Sequence, residues 1–334
     1  MDKFELTCKE FQIPCEKIYK DGLRTRVNFA LYRNNEKIYY AMFENGKITI
    51  EFNTDFICES IENMMPNVLK KLPKNYQEKL FEIRFFSTSS SMNILFLYHK
   101  NISDLDPKIL YDVLTNLTDL KLNIVLQARN QRKCYPNDIL EHFSNGIKYK
   151  FNDECFIQPS LIMNENMLNF AKKCLENKPC DDLLELYCGY GNFTLVLAKY
   201  FNKVLATELS KKNIMFLKNN CELNKIKNVD IARLRDDEVV MAMNKVREFN
   251  RLKNINLDEY NFSHIMLDPP RSGLGSSIEL AKRIDNIIYI SCNPNSAKED
   301  LKILEKTHKL LKFELFDQFI NSNHLECGFY LEKR

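Results

Sequence analysis

A cysteine set just after a buried strand and a carboxylate set just before another are the residues of this chain best placed for chemistry. Ile290-Ser291-Cys292-Asn293-Pro294 continues the β-branched run Asn286-Ile287-Ile288-Tyr289-Ile290, the pattern of a strand buried on both faces. Asn293-Pro294 must end that strand, because proline offers no N–H to a ladder. Cys292 therefore stands at the carboxyl end of a central strand, the edge where open α/β sheets hold their ligands. Most cysteines are small buried hydrophobes, and the remaining ones here are read that way. Glu326, in His324-Leu325-Glu326-Cys327-Gly328, precedes the last apolar strand and pairs a base with the nucleophile.

A second constellation surrounds Cys188-Gly189-Tyr190-Gly191, which follows a strand and opens a helix. Glycines there let backbone approach a ligand closely, facing a helix N-terminus. A dinucleotide fingerprint needs a further glycine three residues after Gly191, and Thr194 stands there, which argues against NAD. Glu208 ends the following strand, where an acid accepts both ribose hydroxyls of a nucleoside. The layout resembles that by which class I methyltransferases hold S-adenosylmethionine. Asp268-Pro269-Pro270-Arg271 follows another strand, and its two prolines stiffen the backbone that carries Asp268.

Cysteine, carboxylate and methyl donor together suit methylation of carbon 5 of a uracil. That carbon is a poor nucleophile until a thiolate adds to carbon 6. The adduct keeps the original carbon 5 proton, which a carboxylate must remove before the cysteine leaves. The base has to be drawn out of its stack to be reached.

The elements needed to hold these residues are legible in outline. From residue 151 the pattern alternates strand and helix, the signature of a parallel doubly wound sheet. Strands are expected at 182–187, 203–207, 229–232, 263–267, 287–291, 310–317 and 328–332, with helices at 163–176, 194–200, 211–224 and 297–307. Residues 1–150 read as a smaller mixed α+β unit. Its strands fall at 24–32, 37–43, 47–52, 82–87, 92–98 and 123–128, with a tight hairpin turn at Asn45-Gly46. Helical spacing occupies 55–82, interrupted by Pro66 and Pro73, and 106–117. The stretch 131–153, polar with Pro136 and Gly146, is taken as the domain boundary, giving units 1–150 and 151–334.

Composition narrows the class further. The 334 residues are 45% hydrophobic and 28% charged, as in ordinary globular chains. No apolar run is long enough to span a membrane, and the start lacks the pattern of a signal peptide. Eleven cysteines form no C-x-x-C pair, so disulfides and a metal site are not expected, and a reducing cytoplasm is. The net charge is only +3, but residues 1–150 carry 22 Lys and Arg against 19 Asp and Glu, while 151–334 carry 26 of each. Arg24, Arg26, Arg129, Arg132 and Lys133 lie among Phe29, Tyr32 and Tyr135, which suits phosphate contacts with base stacking.

From about Cys155 onward the chain resembles the tRNA (uracil-5-)-methyltransferase family. The matching stretches are FIQPS at Phe156, LLELYCGYGNF at Leu183, VLATEL at Val204, VREFNRL at Val246, LDPPRSGL at Leu267, YISCNP at Tyr289, LFDQF at Leu315 and HLECG at His324. Residues 1–154 match more loosely, with LYHK at Leu97 among the better parts. The resemblance implies a class I (Rossmann-like) methyltransferase domain behind a smaller RNA-binding domain. It implies Cys292 as nucleophile, Glu326 as base, and methyl-donor binding by Gln158, Tyr187, Gly189, Gly191, Asn192, Glu208 and Asp268. It further implies tRNA (T-arm) as substrate at uridine 54, a T-loop of tmRNA as a second one, no membrane or metal, and a monomer. Arg247 and Arg251, expected four apart on one helix, are candidate RNA contacts. Tyr190 stands where the family often has asparagine. The alternatives are a ribosomal RNA uracil-5-methyltransferase and a tRNA-binding folding module without catalysis. The absence of a four-cysteine cluster, and of room before residue 20 for an N-terminal β-barrel, favours tRNA over ribosomal RNA.

Overall fold

Five strands of the second half, Asp182–Leu186, Lys203–Thr207, Phe262–Leu267, Asn286–Ser291 and Glu326–Lys333, are apolar and buried along most of their length. Such strands need covers on both faces. In the computed structural model, which describes every residue except Met1, Gln12, Asp21, Asn35, Glu36, Asn45, Gly46 and Asn321, they build one eight-stranded sheet. Its order is Lys17–Tyr19, His308–Phe316, Glu326–Lys333, Asn286–Ser291, Phe262–Leu267, Asp182–Leu186, Lys203–Thr207, Val229–Ala232. Glu326–Lys333 is antiparallel to both neighbours and the other pairings are parallel. The chain order reverses about Asp182–Leu186, which makes its carboxyl end a topological switch point. Helices Leu161–Cys174 and Lys211–Leu223 pack on one face, and Pro294–Leu304 on the other.

A second, seven-stranded sheet runs Lys47–Thr49, Lys37–Glu44, Arg26–Asn34, Leu80–Ser87, Ser91–Tyr98, Lys121–Ala128, Gln131–Tyr135. Helices Glu59–Lys71 and Pro107–Leu114 cover one face through Ile61, Met64, Val68, Leu110 and Leu114. Its other face sends Phe86, Leu95, Leu97 and Val125 into the core that also holds Leu183, Phe193 and Phe316. The two sheets are thus joined through continuous apolar packing.

Several expectations need correction. Pro66 does not interrupt its helix, which runs from Glu59 to Lys71. The stretch 131–153, taken as the domain boundary, carries regular structure: the strand Gln131–Tyr135 and a hairpin, Leu140–Ser144 with Ile147–Phe151. The first elements of the chain pack away from the N-terminal sheet. A helix, Lys3–Cys8, packs on the second-half core, and Lys17–Tyr19 pairs in parallel with His308–Phe316. The expected Asn45-Gly46 turn lies outside the described residues, and the strands on either side of it pair antiparallel.

Candidate active site

Because parallel strands end at one edge of a sheet, their last residues converge. Tyr187 and the glycine loop follow Leu186, Glu208 follows Thr207, Asp268 follows Leu267, and Cys292 follows Ser291. Glu326–Lys333 runs the opposite way, so its first residue reaches that same edge. Ser291 pairs with Cys327, the last pair of that ladder, and Cys292 and Glu326 are the next residues beyond it on the two chains, near enough for the Glu326 charge to act on the thiol. The sheet therefore brings this cysteine and this carboxylate, 34 positions apart in sequence, to the same edge.

The electrostatics at this edge are severe. Burial pushes Glu326 up to about 8, and Asp268 nearby adds to the effect. Burial alone raises Asp268 to about 7. The Cys292 thiol is pushed up to about 11 by burial and then by Glu326 and Asp268, while Arg271 pulls it back down. Three acidic groups thus compete for few protons beside the Arg271 guanidinium, the arrangement expected where proton transfer is to occur near neutrality. Glu326 is 2% exposed. Gln318 Nε2 donates to Glu326 Oε1 at 2.8 Å and to Gln158 Oε1 at 2.8 Å, while Glu326 Oε2 has no partner among the described residues.

The glycine loop bears the marks of a ligand cradle. Gly189 has φ +57°, and a Cβ there would meet nothing within 4 Å, so the backbone faces open space. Gly191 has φ +96°, and a Cβ would fall 2.5 Å from Leu217 Cδ1; there glycine serves packing. Glu208 Oε2 accepts from the Gly189 N–H at 3.1 Å and Oε1 from the Ser210 N–H at 2.7 Å, which aims a half-buried carboxylate along the loop. Tyr187 adopts φ +60° and its hydroxyl lies 3.4 Å from Ser277 Oγ.

Not every expected residue presents its side chain to this edge. Asn192 and Asn164 exchange two amide hydrogen bonds, of 2.8 and 2.9 Å, so the Asn192 amide braces the loop against the helix Leu161–Cys174. Gln158 is linked through Gln318 to Glu326. Tyr190 is buried between the loop and the hairpin, its ring 4.8 Å from Phe151. Arg247 and Arg251 share no helix: Arg247 stacks over Phe249 at 5.0 Å, and Arg251, in the short turn Asn250–Leu252, donates to the Arg233 carbonyl at 2.9 Å.

Two functional candidates were missed from sequence. Gln318, inside the LFDQF stretch, bridges Gln158 and the Glu326 carboxyl. Glu185, an acid within the apolar run Leu183–Leu186, is 1% exposed under the glycine loop. Burial raises it to about 8, offset partly by Thr194 and reinforced by Asp268. The signal for Glu185 was its charge inside the apolar run 183–186, on a strand buried along its whole length.

Among the described residues no group of three His, Cys, Asp or Glu could hold a metal ion, and no helix is long and apolar enough to cross a membrane. Residues 1–334 match the family described as tRNA (Uracil-5-)-methyltransferase. A protein of Campylobacter lari named tRNA/tmRNA (uracil-C(5))-methyltransferase is 46% identical over 326 residues, covering 96% of this chain and 93% of its own. One of Aliarcobacter butzleri with the same name is 37% identical over 333 residues, covering 95% and 87%. The fold matches the crystal structure of Pyrococcus abyssi tRNA (uracil-54, C5)-methyltransferase in complex with S-adenosyl-L-homocysteine, with TM-score 0.72 and 19% identity, covering 98% of this chain and 81% of the other.

Proposed function

The chain belongs to the tRNA (uracil-5-)-methyltransferase family, and from that premise we propose that it methylates carbon 5 of the T-loop uridine, position 54, of tRNA through a covalent cysteine adduct. The observation that supports this reading is the end of the Ser291–Cys327 ladder, where Cys292 and the buried carboxyl of Glu326 come to the same edge of the sheet and interact electrostatically.

The residues present fit S-adenosylmethionine. Gly189 leaves room for close backbone approach, Glu208 is aimed to accept ribose hydroxyls, and the raised carboxyl of Asp268 gains from a cation beside it. When bound, that donor supplies an electrophilic methyl group. The remaining steps belong to the chain and the base. The Cys292 thiolate, favoured by Arg271, forms a bond to carbon 6, and the electron pair of the 5,6 double bond moves to carbon 5 and its neighbouring carbonyl as an enolate. Carbon 5 takes the methyl group. Glu326 as carboxylate then removes the carbon 5 proton. The pair left behind reforms the 5,6 double bond and expels the Cys292 thiolate. Gln318 holds Glu326 Oε1 in place and leaves Oε2 free for the proton. RNA binding is assigned to the N-terminal unit, supported by its excess of cations.

The test uses wild type and Cys292→Ala with methyl-labelled S-adenosylmethionine and unmodified tRNA, followed by nucleoside analysis. Label is expected in 5-methyluridine at the T-loop and lost in the variant. Label in ribosomal RNA alone would keep the chemistry and move the substrate. Label in neither would sink the catalytic reading.

A further inference from the structure

Cys292 opens onto a cavity of about 380 Å³, within the range of small-ligand pockets. One side of it is built from the far end of the chain: Leu6, Thr7 and Glu10 line it together with Cys292, Arg271 and His324. The sequence explains why this face of the N-terminal segment is turned outward. Phe4, Cys8 and Phe11 recur at helical spacing and pack on the core, Phe11 lying 4.8 Å from Phe313 and 4.9 Å from Phe329. Leu6, two residues from Phe4, points the other way and is 52% exposed at the cavity.

The segment is held firmly on both sides of the opening. Lys3 Nζ donates to Asp317 Oδ1 at 2.8 Å, to the Phe319 carbonyl at 2.9 Å and to the Ser322 carbonyl at 3.0 Å. Those acceptors belong to the loop that also carries Gln318. At the other side Glu10 forms an ion pair with Lys298, on the helix that begins directly after Cys292 and Asn293. An apolar side chain is thus presented by a braced element, in a lining supplied mostly by polar and charged groups.

Resting on the functional reading above, we propose that the helix Lys3–Cys8 is the outer wall of the pocket that receives the target nucleotide, and that Leu6 packs against the RNA as the base is extruded. The chemistry of the partner follows from the wall. A base taken out of its stack exposes an apolar face on itself and leaves one on its neighbour. Proteins that open base steps commonly insert a leucine or similar apolar wedge at that point. The partner is therefore a folded RNA with one base displaced next to a stacked one. A free uridine nucleotide has no neighbouring step to open.

The experiment measures, on the full chain, the affinity for a T-arm RNA hairpin, kcat and KM for its methylation, and S-adenosylmethionine affinity, for wild type, Leu6→Ala and Leu6→Met. Leu6→Ala removes most of an apolar side chain from the proposed contact. It should weaken hairpin binding and raise KM about tenfold, with donor affinity and thermal unfolding unchanged, and Leu6→Met should restore binding. Wild-type hairpin affinity in Leu6→Ala would overturn the wall, as would equal loss in Leu6→Met. A wild type that binds the hairpin yet forms no 5-methyluridine would instead overturn the functional reading, and the binding comparison would still decide the role of Leu6.

Discussion

Replacing Glu326 by glutamine should stabilise this protein at alkaline pH while impairing its chemistry. The folded carboxyl sits at about 8 against an ordinary 4.5. Because the folded value is the higher one, the group contributes its full stability below about 4.5, and that contribution is lost as pH rises through 8. At pH 5 the unfolded chain has only begun to gain from losing its proton, a penalty of about 1 kcal/mol. At pH 8 the unfolded chain has shed the proton and the folded one half retains it, a penalty of about 4 kcal/mol at 1.36 kcal/mol per unit. Glutamine, neutral throughout, escapes it. Its oxygen keeps the Gln318 Nε2 bond, and its amide can turn to Gln318 Oε1, which has no partner among the described residues. The difference between variant and wild type should therefore grow by about 3 kcal/mol from pH 5 to pH 8. For a chain of this size that is a relative shift in Tm of roughly 5 °C or more. Thermal unfolding of both proteins at the two pH values reads it directly, and comparing the two pH values cancels any pH-independent packing change. A gap of equal size at pH 5 and pH 8 would refute the assignment of a raised carboxyl. In single-turnover assays the same variant should transfer the methyl group yet accumulate the RNA adduct, since the carbon 5 proton then lacks its acceptor.

Two further outcomes follow from the same edge of the sheet. S-adenosylmethionine affinity should rise from pH 6 to pH 8, because Asp268, at about 7, meets a cationic ligand best when ionised; a flat titration profile across that range would exclude Asp268 as a donor contact. The two loop glycines should separate cleanly: Gly191→Ala, with φ +96° and Leu217 at 2.5 Å, should lose about 2–3 kcal/mol of stability in a denaturant melt, whereas Gly189→Ala, whose Cβ meets nothing within 4 Å, should lose about 1–2 kcal/mol but bind the donor at least tenfold more weakly.

What was legible in the sequence follows a physical division. Lys203–Thr207 and Val229–Ala232 were read to the residue, because a short β-branched run bounded by polar residues is a local signal. The same local logic put Cys292 just after one strand and Glu326 at the start of another, where the fold has them. The hairpin Leu140–Ser144 with Ile147–Phe151 was missed although it was also local. Ile147, Tyr149 and Phe151 alternate with lysines, and Asn145-Gly146, at φ 55° and 79°, is a type I′ turn signal. Pro136 and the polar residues around it outweighed that pattern. The helix Asp236–Met243 was likewise passed over. Its three acids in the first turn were a usable mark, since they complement the helix dipole. By contrast, nothing local predicts that Lys17–Tyr19 pairs with His308–Phe316, or that Leu6 stands near Cys292. Three residues of edge strand carry no periodicity, and both placements are decided by packing against parts of the chain about 300 residues away.

Gln318 was hidden for a related reason, and it shows how the site is kept in order. A glutamine before a loop reads as solvated surface, yet Gln318 is 0% exposed and spends both hydrogens on Gln158 and Glu326. Its usefulness arises only once the strand His308–Phe316 ends at the same edge as the cysteine. A buried carboxyl without that donor would be held still higher, since the Gln318 bond lowers it, and the carboxylate that the proposed reaction needs would be rarer at neutral pH. Lys3 reaches the adjacent Asp317, so the N-terminal helix braces the loop that positions this amide as well as lining the cavity. Burial that raises Glu326, an amide that restrains the rise, and a lysine that fixes the amide's loop form one connected arrangement around the carboxyl to which the proposed reaction gives its proton.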